Sequence, residues 1–301
     1  MPLNGSVRYM GKNGAFAETE SMLGQTRRTR LPLTYSDFGC VFFVGRNEMV
    51  HFVGAGPGAP DLITLRGAAL LERADQVIYA GSLVNPKLLD RCRADCRLLN
   101  SAVMTLEEVI EAIRGAEAQG RMTVRLHTGD PSVFGAIREQ MDRLDELKIP
   151  YDVTPGVSSF CGAAAALRAE YTLPGISQTV ILTRMEGSTP VPEREQIRTL
   201  AQHGSSMAVF LSAGMLTELQ KELMKGAYTA DTPAALVYKA SWPEEKVISC
   251  TVGTLAKNAE KQGIHRTALV LVGEFLSGSP ERSRLYDPVF TTGYRKGTVE
   301  T

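Results

Sequence analysis

Residues 50–67 read VHFVGAGPGAPDLITLRG, and this stretch decides the fold. Val50-His51-Phe52-Val53 has the length and β-rich composition of a buried strand. Gly54, Gly56 and Gly58 then interrupt it, and a helical run follows over 62–72. Strand, glycine-rich loop and helix in that order form the unit of a parallel α/β sheet, with its ligand loops beyond the carboxyl ends of the strands. The unit repeats outward from here. Strands are predicted at 76–79, 122–126 and 151–153, and helices at 106–119, 133–147 and 158–167. In the first of these helices Leu106, Val109, Ile110 and Ile113 fall at helical spacing.

After Leu173-Pro174-Gly175 come strands at 179–183, 207–211, 234–238, 246–251 and 268–272, with helices at 191–203, 216–225 and 254–262. The polar turn 241–245 predicts an antiparallel pair. The reading is an α/β protein of two domains, 49–174 and 175–276, with a surface tail over 277–301 rich in Ser, Pro and Arg. Residues 1–48 hold no sustained period, and Glu18, Glu20 and Asp37 are wrong for an acid-poor transit peptide. They are read as an N-terminal extension, with Met49 as the functional start.

Charge and cysteine content remove several classes. The 301 residues carry 33 Lys+Arg against 33 Asp+Glu, so no basic excess exists to bind a nucleic-acid backbone. Apolar runs such as 208–213 and 268–272 are strand-length, far short of a membrane span. Five cysteines, an odd number without a secretory signal, suit the reducing cytoplasm. Cys92 and Cys96 are four apart on what reads as a helix, but no second Cys/His pair lies nearby, and His51, His127, His203 and His265 form no metal motif. No metal site is expected.

Three loops can hold a ligand. In Gly54-Ala55-Gly56-Pro57-Gly58, Pro57 removes an N–H from any phosphate cradle. The second strand runs into Ala80-Gly81-Ser82 without an acid for a ribose hydroxyl. Both features disfavour a nucleotide-dependent oxidoreductase, and a tight strand–helix turn stays open as the alternative. In Thr128-Gly129-Asp130-Pro131, Asp130 is either an acceptor for a ligand or an N-cap for the next helix. In Thr154-Pro155-Gly156-Val157-Ser158-Ser159 one serine can cap a helix and the other can face a ligand. GVSSF is not a nucleophile elbow, and neither serine has a histidine partner nearby in sequence.

The order and spacing of these blocks resemble the tetrapyrrole methylase family, the S-adenosylmethionine-dependent methyltransferases of cobalamin and sirohaem synthesis. The likeness spans about residues 49–274 and rests on VGAGPGAPDLITLRG, LHTGDPSVFG, TPGVSSF, TVILTR, VFLSAG, VYKASWPEE and TALVLVG. YAGSLV, QTVILTRMEGSTPVPE, VYKASWPEEKV and the tail SRLYDPVFTTGYRK look most like the branch that methylates C11 of precorrin-4 or cobalt-precorrin-4. Uroporphyrinogen methyltransferases of the family tend to carry an Asp after the second strand's tyrosine, where this chain has Ala80-Gly81. That departure counts against a uroporphyrinogen acceptor.

The resemblance implies two α/β domains with the cofactor cleft between them, a homodimer, and S-adenosyl-L-methionine as methyl donor, leaving S-adenosyl-L-homocysteine. By motif it implies cofactor contacts at Pro57, Thr128, Gly129, Asp130, Val133, Ser158, Ser159, Ser212, Ala213, Lys239, Ala240, Thr267 and Ala268. The acceptor it implies is a tetrapyrrole polycarboxylate, for which Arg184, Lys239 and Arg66 are the candidate cations. No catalytic residue is assigned. Methylation at another position of the macrocycle and a non-enzymatic tetrapyrrole carrier are the alternatives.

Overall fold

The computed structural model describes residues 49–276, 281 and 283–298; the extension over 1–48 lies outside the described residues. The first half contains β1 (Val50–Gly54), α1 (Leu65–Arg73), β2 (Gln76–Tyr79), β3 (Arg97–Asn100), α2 (Leu106–Glu117), β4 (Thr123–His127), α3 (Arg138–Leu147), β5 (Tyr151–Thr154) and α4 (Ser159–Leu167). Its five strands are all parallel, in the order β3-β2-β4-β1-β5. Side chains alternate across the sheet as a period of two requires. Val53, Val77, Val124 and Leu126 pack on Ala68 and Leu71 of α1. Val50, Phe52 and Ile78 pack on Val109, Ile110 and Ile113 of α2 and Leu144 of α3. Helix α2 starts at a capping box in which the Thr105 hydroxyl accepts the Glu108 N–H and the Glu108 carboxylate accepts the Thr105 N–H.

The second half contains β6 (Val180–Arg184), α5 (Ile197–Leu200), β7 (Ser206–Phe210), α6 (Leu216–Leu223), β8 (Pro233–Tyr238), β9 (Lys246–Thr251), α7 (Leu255–Lys261) and β10 (Ala268–Val272). The strand order is β6-β7-β10-β8-β9. Only β6 and β7 run parallel; β10 is antiparallel to both its neighbours, and β8 and β9 form the expected antiparallel pair. Met207, Val209, Leu236 and Val270 face α5, α6 and α7 through Ile197, Leu219 and Leu255. The opposite face, with Ala208, Val237, Leu269 and Leu271, packs on Ala163 of α4. The small-residue helix of the first half therefore lies against the second sheet and joins the two cores.

Several sequence expectations need correction. Helix α3 begins only at Arg138 rather than 133, because Phe134 and Ala136 take left-handed φ of 55° and 48°. Of the helix expected over 191–203, only Ile197–Leu200 is α, flanked by 3-10 turns at Glu193–Glu195 and Ala201–His203. An extended Gln196 (ψ 149°) breaks the run. Cys92 and Cys96 are not on a helix: Cys92 ends a 3-10 turn and Cys96 precedes β3. Among the described residues no group of three potential metal ligands gathers, and no helix is long and apolar enough to cross a membrane.

Ala163 is fully buried at the seam between the halves. Ala163→Leu should overpack that seam and lower stability by about 1–3 kcal/mol in urea denaturation, without altering the secondary-structure content.

Candidate active site

Strands β4, β1 and β5 are neighbours, so the loops leaving their carboxyl ends start side by side. Each contributes a glycine to one crossing. A methyl group on Gly156 would lie 2.1 Å from the Gly129 carbonyl oxygen and 2.7 Å from Gly54 Cα. One on Gly54 would lie 2.5 Å from Gly156 Cα. Only hydrogen fits, and the three backbones touch. Gly56 and Gly129 exchange two backbone hydrogen bonds of 3.2 and 2.9 Å.

Asp130 ties the second loop to the third. Its Oδ2 accepts the Gly156 N–H at 2.8 Å, and its Oδ1 accepts the Ser132 N–H at 2.8 Å and the Ser132 hydroxyl. Asp130 is thus a loop tie and not the cap of α3. Partial burial works to raise its pKa, but the Ser132 and Gly156 hydrogen bonds outweigh it and hold the carboxyl below its ordinary value. Ser158 stands at the N-cap of α4 without a side-chain capping bond.

Loops of the second half meet those of the first. The Phe134 ring, beside Val133, lies 5.2 Å from that of Phe210. The buried Ser212 hydroxyl donates to the Phe210 carbonyl at 2.7 Å and accepts the Met185 N–H at 2.9 Å. The Lys239 N–H donates to the Thr267 carbonyl at 3.0 Å. A methyl on Gly162 of α4 would meet Pro57 Cβ at 2.8 Å and Ala240 Cβ at 3.5 Å, so these two expected cofactor residues converge over one glycine. The Ala59 N–H donates to the Ser241 hydroxyl at 2.9 Å, and the Trp242 indole N–H to the Pro57 carbonyl at 3.1 Å.

Backbone strain marks the same loops. Among described residues other than glycine, positive φ occurs at Lys148 and Arg168, which close α3 and α4, and at Phe134, Ala136, Leu211, Lys239, Ser241 and Thr267. The latter group all lie in the loops that bear the expected cofactor residues. Non-glycine residues hold such angles at a cost of about 1–3 kcal/mol each, and they concentrate at functional sites.

The candidate cations are placed unequally. Lys239 is half-buried, its Nζ 5.0 Å from the Trp242 ring and 3.5 Å from a Glu244 oxygen. The Arg184 guanidinium donates to the carbonyls of Met185, Thr189 and Pro190, bracing the loop after β6. Arg66 is exposed on the first turn of α1.

Other residues matter to which the sequence reading gave no role in the site. Arg125 on β4 is 6% exposed, and its guanidinium donates to Gln140 Oε1 and the Ile78 carbonyl, both at 3.0 Å. Burial lowers its pKa to about 10, leaving it charged at neutrality. Gln140 in turn donates to the carbonyl of strained Ala136 at 3.0 Å. Burial, and secondarily the Arg125 charge, push His127 down to about 3, so its imidazole is neutral. His127 Nε2 and Thr154 Oγ1 are buried without hydrogen-bond partners at the carboxyl ends of β4 and β5. The available signal was Arg and His at inward positions of a strand, where charge is otherwise excluded. A cavity of about 370 Å³ between α2 and the β3 edge shares no residue with this cradle.

The chain belongs to the tetrapyrrole methylase family: the family described as Tetrapyrrole (Corrin/Porphyrin) Methylases matches residues 49–256. The cobalt-precorrin-4 C(11)-methyltransferase of Methanocaldococcus jannaschii is 50% identical over 251 residues, covering 83% of this chain and 97% of the relative. The precorrin-4 C(11)-methyltransferase of a Sinorhizobium species is 44% identical over 248 residues, covering 82% and 98%. Among solved structures, a cobalt precorrin-4 methyltransferase superposes with a TM-score of 0.76 at 43% identity, over 78% of this chain and 100% of that one. The uroporphyrin-III C-methyltransferase of Thermus thermophilus, complexed with S-adenosylhomocysteine, gives 0.63 at 26% identity, over 77% and 94%.

Two outcomes follow from this geometry. Gly156→Ala should abolish binding of S-adenosylhomocysteine in calorimetry, because its methyl cannot coexist with the Gly129 carbonyl 2.1 Å away. For His127, the unfolded imidazole titrates near 6.5 and the folded one near 3, so the unfolded chain takes up the extra proton between them. Its contribution is complete above about pH 6.5 and is lost as pH falls toward 3, at up to about 1.4 kcal/mol per unit. Urea midpoints of His127→Phe should therefore fall less than those of the wild type between about pH 6.5 and 5.

Proposed function

We propose that this chain transfers a methyl group from S-adenosyl-L-methionine to C11 of precorrin-4 or cobalt-precorrin-4 in cobalamin biosynthesis, as a cytoplasmic homodimer. The observation that carries the reading is the convergence of three glycine-bearing loops of one domain with the strained loops of the other, at the positions the family motifs indicate. C11 is favoured over other ring positions by likeness to proteins of that name at 41–50% identity, against 26–28% for the uroporphyrin methyltransferase structures.

The cradle suits a sulfonium nucleoside. The expected cofactor residues Gly129, Ser158, Ala213, Ala240 and Ala268 are small, which suits close approach of a ligand to backbone. When bound, the cofactor supplies a methyl on positively charged sulfur, an electrophile that requires no covalent enzyme intermediate. The protein's task is then to align donor and acceptor carbons and to keep water out. Such alignment supplies on the order of 7–11 kcal/mol.

Asp130 already accepts three hydrogen bonds from its own loops. Its place is in building the cradle, with any ligand contact made through its remaining lone pairs. Lys239 is the cation of the cradle itself and the first candidate for an acceptor carboxylate. Arg184, which braces the loop after β6, and Arg66, exposed on the first turn of α1, are the further candidates for an acceptor carboxylate.

Anaerobic incubation with S-adenosylmethionine and either precorrin-4 or cobalt-precorrin-4 should add one methyl, read by mass spectrometry and placed at C11 by NMR. The faster acceptor identifies the physiological one. Methyl gain at another carbon would refute C11 while keeping the methyltransferase.

A further inference from the structure

We propose that Trp242 is a positioning residue that sets the spacing of the cofactor cradle across the two domains, and that residue 58 is glycine to receive its ring. The inference rests on the cofactor reading above and concerns a contact that reading does not contain.

The turn after β8 is held rigid from within. The Trp242 N–H donates to the Lys239 carbonyl and the Glu245 N–H to the Trp242 carbonyl, both at 3.0 Å, while the Ser241 N–H donates to Glu245 Oε2 at 2.6 Å. From this turn two hydrogen bonds reach the first loop, indole to the Pro57 carbonyl and Ala59 N–H to the Ser241 hydroxyl. They bracket Gly58. A methyl there would lie 2.0 Å from Trp242 Cδ1, 2.2 Å from its Nε1 and 2.8 Å from the Ala240 carbonyl oxygen. On the other side, buried Asn85 donates to the Gly58 carbonyl at 2.9 Å. Residue 58 is thus clamped between an amide and an indole.

The clamp acts where the cofactor residues meet. Pro57 on one loop and Ala240 on the other both rest on Gly162, and the indole bonds the second of these loops to the first. The ring also underlies Lys239, whose ammonium lies 5.0 Å from it. Displacing Trp242 therefore moves Pro57 relative to Ala240 and releases Lys239 together. Trp242 is the one tryptophan of the chain, so its emission reports directly on this contact.

The test is calorimetric titration of S-adenosylhomocysteine into wild type, Trp242→Phe, Trp242→Ala, Gly58→Ala and the double variant. Saturation should change the tryptophan emission of the wild type. Trp242→Phe keeps an aromatic ring but loses the indole hydrogen bond and the pyrrole edge that meets Gly58, so it should weaken binding by up to about tenfold. Its KM for S-adenosylmethionine should rise while kcat at saturation stays within about threefold, a split that uniform loss of folded protein does not give. Trp242→Ala and Gly58→Ala should each cost more than about tenfold, and the double variant no more than the worse single, since both disturb one contact. Equal binding by wild type and all variants, or a double variant as weak as the two singles multiplied, would overturn the role of Trp242. Failure of the wild type itself to bind would overturn the cofactor reading, and this proposal with it.

Discussion

Parallel strands about 4.8 Å apart deliver their loops to the same edge of a sheet, and the space above that edge is then limited by what the loops carry. At the carboxyl ends of β4, β1 and β5 they carry Gly129, Gly54 and Gly156, packed so closely that a Cβ on Gly156 would reach within 2.1 Å of a carbonyl oxygen. This backbone contact sets the floor of the proposed cofactor site. It fixes the Gly56–Gly129 pairing, lets Asp130 reach the Gly156 N–H, and places Ser158 and Ser159 beside Gly129.

The contact with the second half rests on a different device. The second sheet is mostly antiparallel and meets the first half through α4, whose Gly162 and Ala163 admit close approach. Pro57 and Ala240 come together over that helix, one from each half. Six non-glycine residues in the loops that bear the proposed cofactor residues hold left-handed φ. Their cost falls on the dense cores below, where Leu126, Leu236 and Leu271 are wholly buried. Arg125, Gln140 and Ala136 form one such support, carrying a buried charge up to a strained loop.

Much of this was legible in the sequence because glycine, order and alternation are local signals. The strands around GAGPG, TGDP and TPGVSS lie within a residue or two of their predicted places. Strand β3 (RLLN) was not read: it is a short edge strand with no alternation of burial. The late start of α3 was hidden because left-handed turns at Phe134 and Ala136 leave the apolar spacing intact. The antiparallel setting of β10 was equally invisible, since hydrophobicity does not encode strand direction. Arg184 follows a strand as a ligand-binding cation would, yet three carbonyls of its own loop receive its hydrogen bonds. Trp242 escaped notice because its partner, Pro57, is 185 residues away.

The most direct measurement is a crystal structure of the protein grown with S-adenosylhomocysteine. The account predicts the ligand in the cleft between the two sheets, against Pro57, Gly129, Ser158, Ala213 and Ala240, with its sulfur facing the open side where the acceptor enters. Ligand density elsewhere on the chain, with this cradle filled by ordered water, would contradict it.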